Sequence, residues 1–505
     1  MSKASRVQKV VIVGGGTSAW LTAAMLSYKK PQYEIIVVDK EVGTPIGVGE
    51  GTILGFANTM FDCGFDIQDW FFELESVYKS GILFPGWTDD NPNIWHPFLH
   101  PQYPGAPFSY FDLWSKNQDL DFKDHGLALY DVSVNHNKID KDNLLFYAYH
   151  VNCGKLVLFL QERIVGIRNV KSINSEVVDI QRENNNIHKL ILKNGQEITG
   201  DLFIDCTGFK GLLNDSPDRV TLENRLWCDT AVAGPVQYID KDKEMHPYVV
   251  NEAVDHGWLW KIPVQSRIGS GLVFNRSITS VDEAKEYLCK YWNNRITPDQ
   301  LRVIDWTPFY NKNMWHDNVV SIGLSAGFIE PLESTGIALI TKGIYEMLDK
   351  LEQDFYTAHD IELFNARLAV SFEESIDFVS MHYMATEKNT PFWNWVKETR
   401  FKSDTQKIYE DKLKDFWLLP FQGRGSIFSG YNWFCLLIQL GYPVESKNLD
   451  PLTIQQINIL LTRHKNSELN KPDAVLQTEY IEALKNGTEQ FFVLPEHRPK
   501  GKSNE

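Results

Sequence analysis

A glycine-rich loop near the N-terminus has the residue types and the spacing of a dinucleotide-binding site. It reads Gly14-Gly15-Gly16-Thr17-Ser18-Ala19 and matches the pattern GxGxxA. In that pattern Gly14 permits a tight turn, Gly16 lets the backbone approach a pyrophosphate, and Ala19 allows close packing of helix on strand. Asp39 lies 20 residues beyond Ala19, where an acid binds a ribose hydroxyl. The loop therefore predicts dinucleotide binding, and a glycine-rich turn without a ligand is the alternative.

Such a loop needs a strand before it and a helix after it. Val10–Val13 is a short apolar run typical of a buried parallel strand. Thr17–Tyr28 has the apolar spacing of a helix, and Tyr33–Asp39 reads as a second buried strand. This order predicts an α/β fold that opens with a Rossmann-type unit.

Later segments extend the predicted α/β fold. Residues 177–205 read as three strands separated by turns, and Asn194-Gly195 favours a tight hairpin. Val319–Ile322 is another buried strand, whereas Ala338–Leu413 has mainly helical spacing. We therefore expect a mostly helical second half.

The composition is that of a globular protein with reduced thiols. The chain has 505 residues, 43% of them hydrophobic, and a net charge of −16. A surface this acidic repels nucleic acid and anionic lipid, and no apolar run approaches the roughly 20 residues of a membrane span. The cysteines form no CxxC pair, and Pro97 between His96 and His100 argues against a helical metal pair. We expect a cytoplasmic protein without a metal site and with a disordered, frayed tail over 496–505.

Two further motifs could carry chemistry. In Gly257–Pro263 the side chains of Trp258, Trp260 and Ile262 alternate, so a strand places them on one face. Alone, this pattern is typical of a protein core. Pro331–Ile337 contains a carboxylate, two hydroxyls and a glycine just before a predicted helix. A glycine-containing turn that opens a helix is a sound anion site.

These motifs resemble those of the flavin-dependent halogenases of the tryptophan halogenase family. Trp-x-Trp-x-Ile-Pro is the family signature, and Pro331–Ile337, Lys79 and Gly47–Thr52 resemble its other motifs. The resemblance runs from about residue 9 to residue 345 and weakly to the region of Cys435.

The resemblance implies an FAD-binding fold similar to that of the aromatic hydroxylases. Asp201–Gly208 and Gly323–Phe328 resemble the two later segments at which that fold returns to the flavin. A domain that binds only NAD does not require these two later segments. The implied FAD contacts outside the glycine-rich loop and Asp39 are Gly49, Glu50, Val177, Leu324 and Ile337.

In this family, reduced FAD, oxygen and a halide give hypohalous acid, which travels through the protein to an aromatic substrate. The resemblance implies that Lys79 is the catalytic group at the substrate end, either by hydrogen-bonding the hypohalous acid or by forming a haloamine. Glu333, assisted by Ser334, would tune the amine and accept the ring proton. Without this context Lys79 would be a solvated lysine on a helix, and Glu333 would merely complement a helix dipole.

The remaining site residues are also implied by the resemblance. Thr335 and Gly336 would bind the halide. The barrier between flavin and substrate would consist of Trp258, Trp260, Ile262 and Pro263. The substrate pocket would include His96, Phe98, Phe428 and Trp433. Free tryptophan, another indole and another electron-rich aromatic all stay open as substrates.

The predicted function is a two-component FADH2-dependent halogenase. Its partner would be a separate NAD(P)H-dependent flavin reductase, because the sequence has no second dinucleotide fingerprint; a homodimer stays open. One alternative is a single-component FAD aromatic monooxygenase, against which the tryptophan barrier argues, as does Leu324 where hydroxylases usually carry Asp. The other alternative is a flavin-binding protein without halogenase activity.

The predicted domains are discontinuous. The FAD-binding module is expected over residues 1–95, 140–215 and 305–350. The substrate-binding part is expected over residues 96–139, 216–304 and 351–495.

Overall fold

The computed structural model describes residues 5–40, 50–89, 93–98, 130–215, 218–399, 427–442 and 474–493, with short pieces between 403 and 411 and between 451 and 462. The predicted FAD contact Gly49 and the predicted tail over 496–505 lie outside the described residues.

Twenty-six strands fall within these ranges. In chain order they are β1 Ser5–Arg6, β2 Lys9–Val13, β3 Glu34–Asp39, β4 Glu50–Gly51, β5 Val77–Lys79, β6 Gly81–Pro85, β7 Asn93–Pro97, β8 Lys138–Asp140, β9 Ala148–Val151, β10 Val170–Asn174, β11 Val177–Glu183, β12 Asn186–Leu192, β13 Glu197–Ile198, β14 Leu202–Asp205, β15 Arg219–Thr221, β16 Thr230–Val236, β17 Val249–Val254, β18 Gly257–Pro263, β19 Ile268–Phe274, β20 Arg302–Asp305, β21 Phe309–Asn311, β22 Trp315–His316, β23 Val319–Ser321, β24 Gly327–Phe328, β25 Phe355–Tyr356 and β26 Ala474–Leu476.

The α-helices with described bounds follow the same order. They are α1 Thr17–Lys29, α2 Phe56–Asp62, α3 Ile67–Trp70, α4 Cys153–Ile164, α5 Lys241–Glu244, α6 Val281–Tyr291, α7 Thr335–Lys350, α8 Ala358–His382, α9 Pro391–Thr399, α10 Gly430–Gln439 and α11 Gln477–Asn486.

A six-stranded sheet forms the first layer, in the order β10-β3-β2-β14-β23-β22. Its first five strands are parallel, with Val10 opposite both Ile35 and Leu202, and β22 pairs antiparallel with β23. Strand β3 is added to one side of β2 and strand β14 to the other side. At such a change of direction, a crevice forms beyond the carboxyl ends of the parallel strands. The predicted α/β Rossmann-type fold is confirmed.

A seven-stranded sheet forms the second layer, in the order β20-β16-β19-β18-β17-β6-β7. Its strand β18 carries Trp258 and Trp260, which face the largest hydrophobic core, whereas Leu259 between them packs in a separate core with helix α6. The alternation predicted from the sequence therefore holds, because successive side chains on a strand point to opposite faces. The sequence analysis did not predict this sheet.

Helices cover much of the chain after residue 334. Helix α7 packs against α8 and against α1. The predicted helical region over Ala338–Leu413 corresponds to α7, α8 and α9. No helix within the described ranges is both long and apolar enough to cross a membrane.

Candidate active site

A cavity of about 550 Å³ lies beyond the carboxyl ends of the parallel strands. Predicted FAD contacts in its lining are Gly14, Gly16, Thr17, Ser18, Asp39, Val177, Leu324 and Ile337. The predicted halide ligands Thr335 and Gly336 line the same cavity. Ala19 does not line it but is buried within α1, as its packing role requires.

The glycine-rich loop has the backbone geometry that a pyrophosphate needs. Gly14 has a φ of +125°, and a Cβ there would lie 2.2 Å from the carbonyl oxygen of Cys206. Gly16 precedes α1, and a Cβ there would meet no atom within 4 Å. Only a glycine fits at position 14, whereas a Cβ at position 16 would face open space at the start of α1. These residues fit FAD, whose phosphates favour a helix N-terminus.

The predicted FAD contact Glu50 lies on the short strand β4, next to Gly51, which is close to Lys79. Glu50 pairs with Val151 through its backbone, and Gly51 pairs with His150. A Cβ on Gly51 would lie 2.9 Å from both Nζ of Lys79 and Oγ of Ser334. A side chain at position 51 would therefore displace one or both of these polar groups.

Lys79 lies at the end of β5 and is fully buried. It is opposite Ala148 of β9, so it lies on a buried strand and is not the solvated helix residue of the alternative reading. Its Nζ donates hydrogen bonds to the carbonyl oxygen of Thr52 at 2.8 Å and to Oγ of Ser334 at 3.1 Å. Burial lowers the pKa of Lys79 to about 7, although the charge of Glu333 raises it. A lysine in this state titrates near neutral pH.

Glu333 lies between two imidazole rings, and all three side chains are buried. Oε2 is 2.9 Å from Nδ1 of His96, and Oε1 is 2.8 Å from Nε2 of His382. Burial raises the pKa of Glu333, but the two imidazoles outweigh burial and lower the pKa to about 2. The carboxylate is therefore ionised at neutral pH.

The turn after Glu333 connects Lys79 with the cavity. Ser334 has a φ of +58° and immediately precedes helix α7. The next residue, Thr335, has a buried hydroxyl with no hydrogen-bond partner among the described residues. A Cβ on Gly336 would meet no atom within 4 Å. A helix start with a free hydroxyl donor beside open space suits a small anion.

The two tryptophans of the predicted barrier contact each other. The ring centroids of Trp258 and Trp260 are 6.1 Å apart, with an angle of 52° between the planes. Trp260 lies opposite Gly271 on β19, where a Cβ would be 2.2 Å from the indole. The absence of a side chain at Gly271 thus leaves the space that the second indole fills. Ile262 and Pro263 continue the same buried strand.

Two of the predicted pocket residues, His96 and Phe98, lie next to Glu333 and Lys79, and the other two contact Phe378. Nζ of Lys79 lies 5.0 Å from the ring centroid of Phe98. Phe428 stacks on Phe378 with centroids 3.8 Å apart, and Trp433 meets Phe378 edge-on at 5.1 Å. The folded chain thus brings together side chains more than 300 positions apart, such as His96 and Phe428. His96 uses both ring nitrogens, because its Nε2 lies 2.8 Å from Nδ2 of Asn432.

Several contacts escaped the sequence analysis. They are made by Thr52, Glu330, Phe378, His382 and Asn432. His382 ends α8 inside a region predicted only as helical, and no local pattern there marks a histidine as a partner of Glu333. Within the described part of the chain, no group of three or more His, Cys, Asp or Glu side chains is placed to hold a metal ion.

Comparisons with known proteins agree with this geometry. A family model described as "Tryptophan halogenase" matches residues 9–455. The chain is 28% identical to tryptophan 6-halogenase ThaL from Streptomyces albogriseolus, over 90% of this chain and 94% of that protein. It is also 28% identical to tryptophan 7-halogenase RebH from Lentzea aerocolonigenes, over 86% of this chain and 90% of that protein.

Solved structures show the same fold. Xcc4156, a flavin-dependent halogenase from Xanthomonas campestris, superposes with a TM-score of 0.85 at 27% identity, covering 94% of this chain and 98% of that one. A tryptophan halogenase from Shewanella frigidimarina also gives a TM-score of 0.85, at 24% identity over 95% of this chain and 98% of that one.

Proposed function

The chain belongs to the tryptophan halogenase family, and from that premise we propose that it is a two-component FADH2-dependent halogenase of an indole or another electron-rich aromatic. One observation carries the assignment of its site. The consecutive residues Ser334 and Thr335 face two compartments: Ser334 contacts the buried amine of Lys79, and Thr335 lines the FAD cavity. A small species formed in the cavity has a short route to the lysine.

Each compartment has its own task. FAD, when bound and reduced, supplies the electrons with which oxygen converts halide into hypohalous acid. Thr335 and Gly336 hold the halide through a hydroxyl and the amides at the start of α7. Lys79 holds the electrophile beside the substrate, through an N–H hydrogen bond or as a haloamine.

Glu333 is the proposed base for the ring proton. Halogen addition leaves a positively charged ring, and loss of its proton restores aromaticity. A carboxylate that is fully ionised in a buried site can accept that proton. Glu333 also raises the pKa of Lys79 and so influences both steps.

The tryptophan barrier keeps the aromatic substrate away from the flavin. Trp258 and Trp260 are 1% and 6% exposed and lie together in the same hydrophobic core, which supports this role. We expect Trp258→Ala to lower the amount of halogenated product formed per NADH oxidised, because the two compartments then merge. Unchanged coupling in this variant would contradict the barrier role.

The names of the relatives suggest the substrate. They are described as acting on tryptophan at positions 6 and 7, so an indole ring is the first choice for this chain. A separate NAD(P)H-dependent flavin reductase supplies reduced FAD, since the sequence has one dinucleotide fingerprint.

The test combines purified protein with a flavin reductase, FAD, NADH and oxygen, with chloride and bromide supplied separately. Free tryptophan and a panel of indoles serve as substrates, and mass spectrometry detects the halogen isotope pattern. We expect a halogenated product that Lys79→Ala abolishes while FAD binding is retained. The matched control is Lys171→Ala, which removes an exposed lysine paired with Glu34. A hydroxylated product would make the protein a monooxygenase, and full activity of Lys79→Ala would overturn the assigned role of Lys79.

A further inference from the structure

The turn that carries Glu333 and Ser334 has a backbone conformation that needs support. Its ends are joined by a hydrogen bond from the backbone N–H of Ser334 to the carbonyl oxygen of Pro331 at 3.0 Å. Ser334 has a φ of +58° and a ψ of +32°, the left-handed conformation that is unfavourable for a residue with a side chain. Such a conformation persists only where surrounding contacts hold it. The contacts of this turn therefore decide where Glu333 and Ser334 lie.

One such contact comes from Asn251 of the second sheet. Nδ2 of Asn251 donates a hydrogen bond to the carbonyl oxygen of Leu332, the residue before Glu333. A carbonyl can only accept, so the nitrogen of the amide must face it. Asn251 and Leu332 are both buried, so water cannot take the place of this bond. Oδ1 of Asn251 has no hydrogen-bond partner among the described residues, so the bond to Leu332 is the one that a substitution removes.

The strand β17 holds Asn251 in place. Asn251 lies opposite Trp260 of β18, and its backbone carbonyl accepts a hydrogen bond from Nε1 of Trp87 at 2.8 Å. On its other side β17 pairs with β6, so it is an inner strand of the seven-stranded sheet. A segment that is hydrogen-bonded on both sides opens less readily than a turn. The side chain of Asn251 therefore extends from a fixed backbone.

The same face of β17 also lies beside Lys79. Val249 is two positions before Asn251, and side chains two positions apart on a strand share a face. A Cβ built on Gly51 would lie 3.2 Å from Cγ2 of Val249. The same Cβ would lie 2.9 Å from Nζ of Lys79 and from Oγ of Ser334. One face of β17 thus meets both the lysine and the turn.

We propose that Asn251 is a positioning residue that fixes the turn over residues 331–334 on the second sheet, so that Ser334 contacts Lys79 while Thr335 faces the FAD cavity. The proposal rests on the halogenase function proposed above. Asn251 acts through the backbone of the turn and takes no part in the reaction itself. Without its hydrogen bond, the turn relaxes from the left-handed conformation, and Oγ of Ser334 moves away from the amine of Lys79, to which it now lies at 3.1 Å.

The first experiment does not depend on activity. The full-length protein is labelled with ¹³Cε-lysine, and the NMR signal of Lys79 is assigned by its disappearance in Lys79→Arg. We expect this signal to shift in Asn251→Leu, because the hydroxyl of Ser334 leaves the amine. Leucine keeps the volume of the asparagine side chain but has no donor. An unchanged Lys79 signal in this variant would overturn the proposal.

The matched control is Asn318→Leu. Asn318 is also buried, and its Nδ2 donates to the carbonyl oxygen of Ile187 at 2.9 Å, in a different part of the chain. This substitution removes the same kind of hydrogen bond, so it should lower stability. It should leave the Lys79 signal unchanged, because Asn318 does not contact the turn.

The second experiment measures the kinetics of halogenation by the unmodified protein and both variants. The turn carries Glu333 and Ser334, which act in the proposed reaction, whereas aromatic rings hold the substrate. We therefore expect kcat to fall roughly tenfold to a hundredfold in Asn251→Leu, while KM for the aromatic substrate changes little. FAD binding should be retained, because the glycine-rich loop follows β2 of the first sheet. The kcat of folded Asn318→Leu should equal that of the unmodified protein.

The outcomes separate the two proposals. If the unmodified protein makes no halogenated product, the proposed function fails, and the Lys79 signal still decides whether Asn251 positions the turn. If product forms and Asn251→Leu loses stability but keeps its kcat, Asn251 has only a structural role. If Asn251→Leu does not fold, Asn251→Asp takes its place in both measurements, because an ionised carboxylate has the same shape as the amide and no donor.

Discussion

Nε1 of Trp258 donates a hydrogen bond to Oε1 of Glu330 over 3.2 Å, and both side chains are buried. The hydroxyl of Tyr383 donates to the same oxygen. Trp258, the first indole of the proposed barrier, is thus hydrogen-bonded to a carboxyl group three residues before Glu333. Tyr383 and His382 are neighbours, so the end of helix α8 contacts both glutamates of one short segment.

The pKa values of Glu330 and Glu333 are shifted in opposite directions, so a rise in pH should change their contributions to stability in opposite ways. Burial raises the pKa of Glu330 to about 7, although the bonds from Tyr383 and Trp258 lower it. Because the folded state binds this proton more tightly than the unfolded state, stability falls as pH rises from the ordinary value of 4.5 towards 7. Relative to Glu330→Gln, the unmodified protein should lose roughly 3 kcal/mol of unfolding free energy across that range.

Chemical denaturation of both proteins at pH 5 and pH 8 measures this difference. Glu34→Gln is the matched control, because the hydrogen bond from Lys171 lowers the pKa of Glu34, so its contribution is lost only as pH falls below the ordinary value of 4.5. Its difference from the unmodified protein should stay constant between pH 5 and 8. If the stability difference between Glu330→Gln and the unmodified protein is also the same at pH 5 and pH 8, Glu330 is ionised throughout this range.

Substitution of Gly16 should affect ligand binding, whereas substitution of Gly14 should affect folding. Gly16 has an ordinary φ of −86° and open space around its missing Cβ, so Gly16→Ala should fold normally. It should nevertheless weaken FAD binding by roughly tenfold or more, because the added methyl group occupies the approach of the pyrophosphate. Gly14→Ala should destabilise the fold itself, since its Cβ would collide with Cys206. Flavin fluorescence and thermal unfolding report the two effects, and tight FAD binding by Gly16→Ala would contradict the predicted site.

Lys79 should titrate near pH 7, and its titration should depend on Glu333. NMR of ¹³Cε-labelled lysine follows the amine, with Lys79→Arg providing the assignment. Glu333→Gln removes a negative charge that favours the ammonium form, so the midpoint should move to lower pH. Glu34→Gln, on the distant strand β3, should leave it unchanged. An unmoved midpoint in Glu333→Gln would show that the two groups are not coupled.

The same titration separates the two roles of Lys79. A haloamine requires the free amine, so halogenation would rise with pH through the midpoint. A hydrogen bond from the ammonium to hypohalous acid would make halogenation fall over the same range. The pH profile of product formation, compared with the NMR midpoint, decides between them.

Gly271 should prove necessary for the barrier. A Cβ there would lie 2.2 Å from the indole of Trp260, so Gly271→Ala must displace that ring. We expect a loss of about 1–3 kcal/mol in unfolding free energy and less halogenated product per NADH oxidised. In the double variant Gly271→Ala/Trp260→Phe, stability should recover while coupling stays low. Full coupling in Gly271→Ala would show that the position of Trp260 is not critical.

The sequence by itself determined those helices, strands and turns that depend on interactions between residues close together in the chain. The glycine-rich loop, its flanking strand and helix, and the hairpins between Val177 and Asp205 were predicted because turn chemistry and apolar periodicity are local properties. The alternation of Trp258 and Trp260 on one strand face followed from the same logic. The family motifs added candidate roles for Lys79 and Glu333.

Only the tertiary structure decided how these residues meet. The burial of Lys79 follows from the pairing of β5 with β9 and from Ser334, which lies 255 positions away. His382, at the end of a helix, becomes a partner of Glu333 only when α8 packs beside the turn that opens α7. Electrostatic effects of this kind depend on distance and burial, not on sequence spacing, so the ionisation of the site arises only in the folded chain.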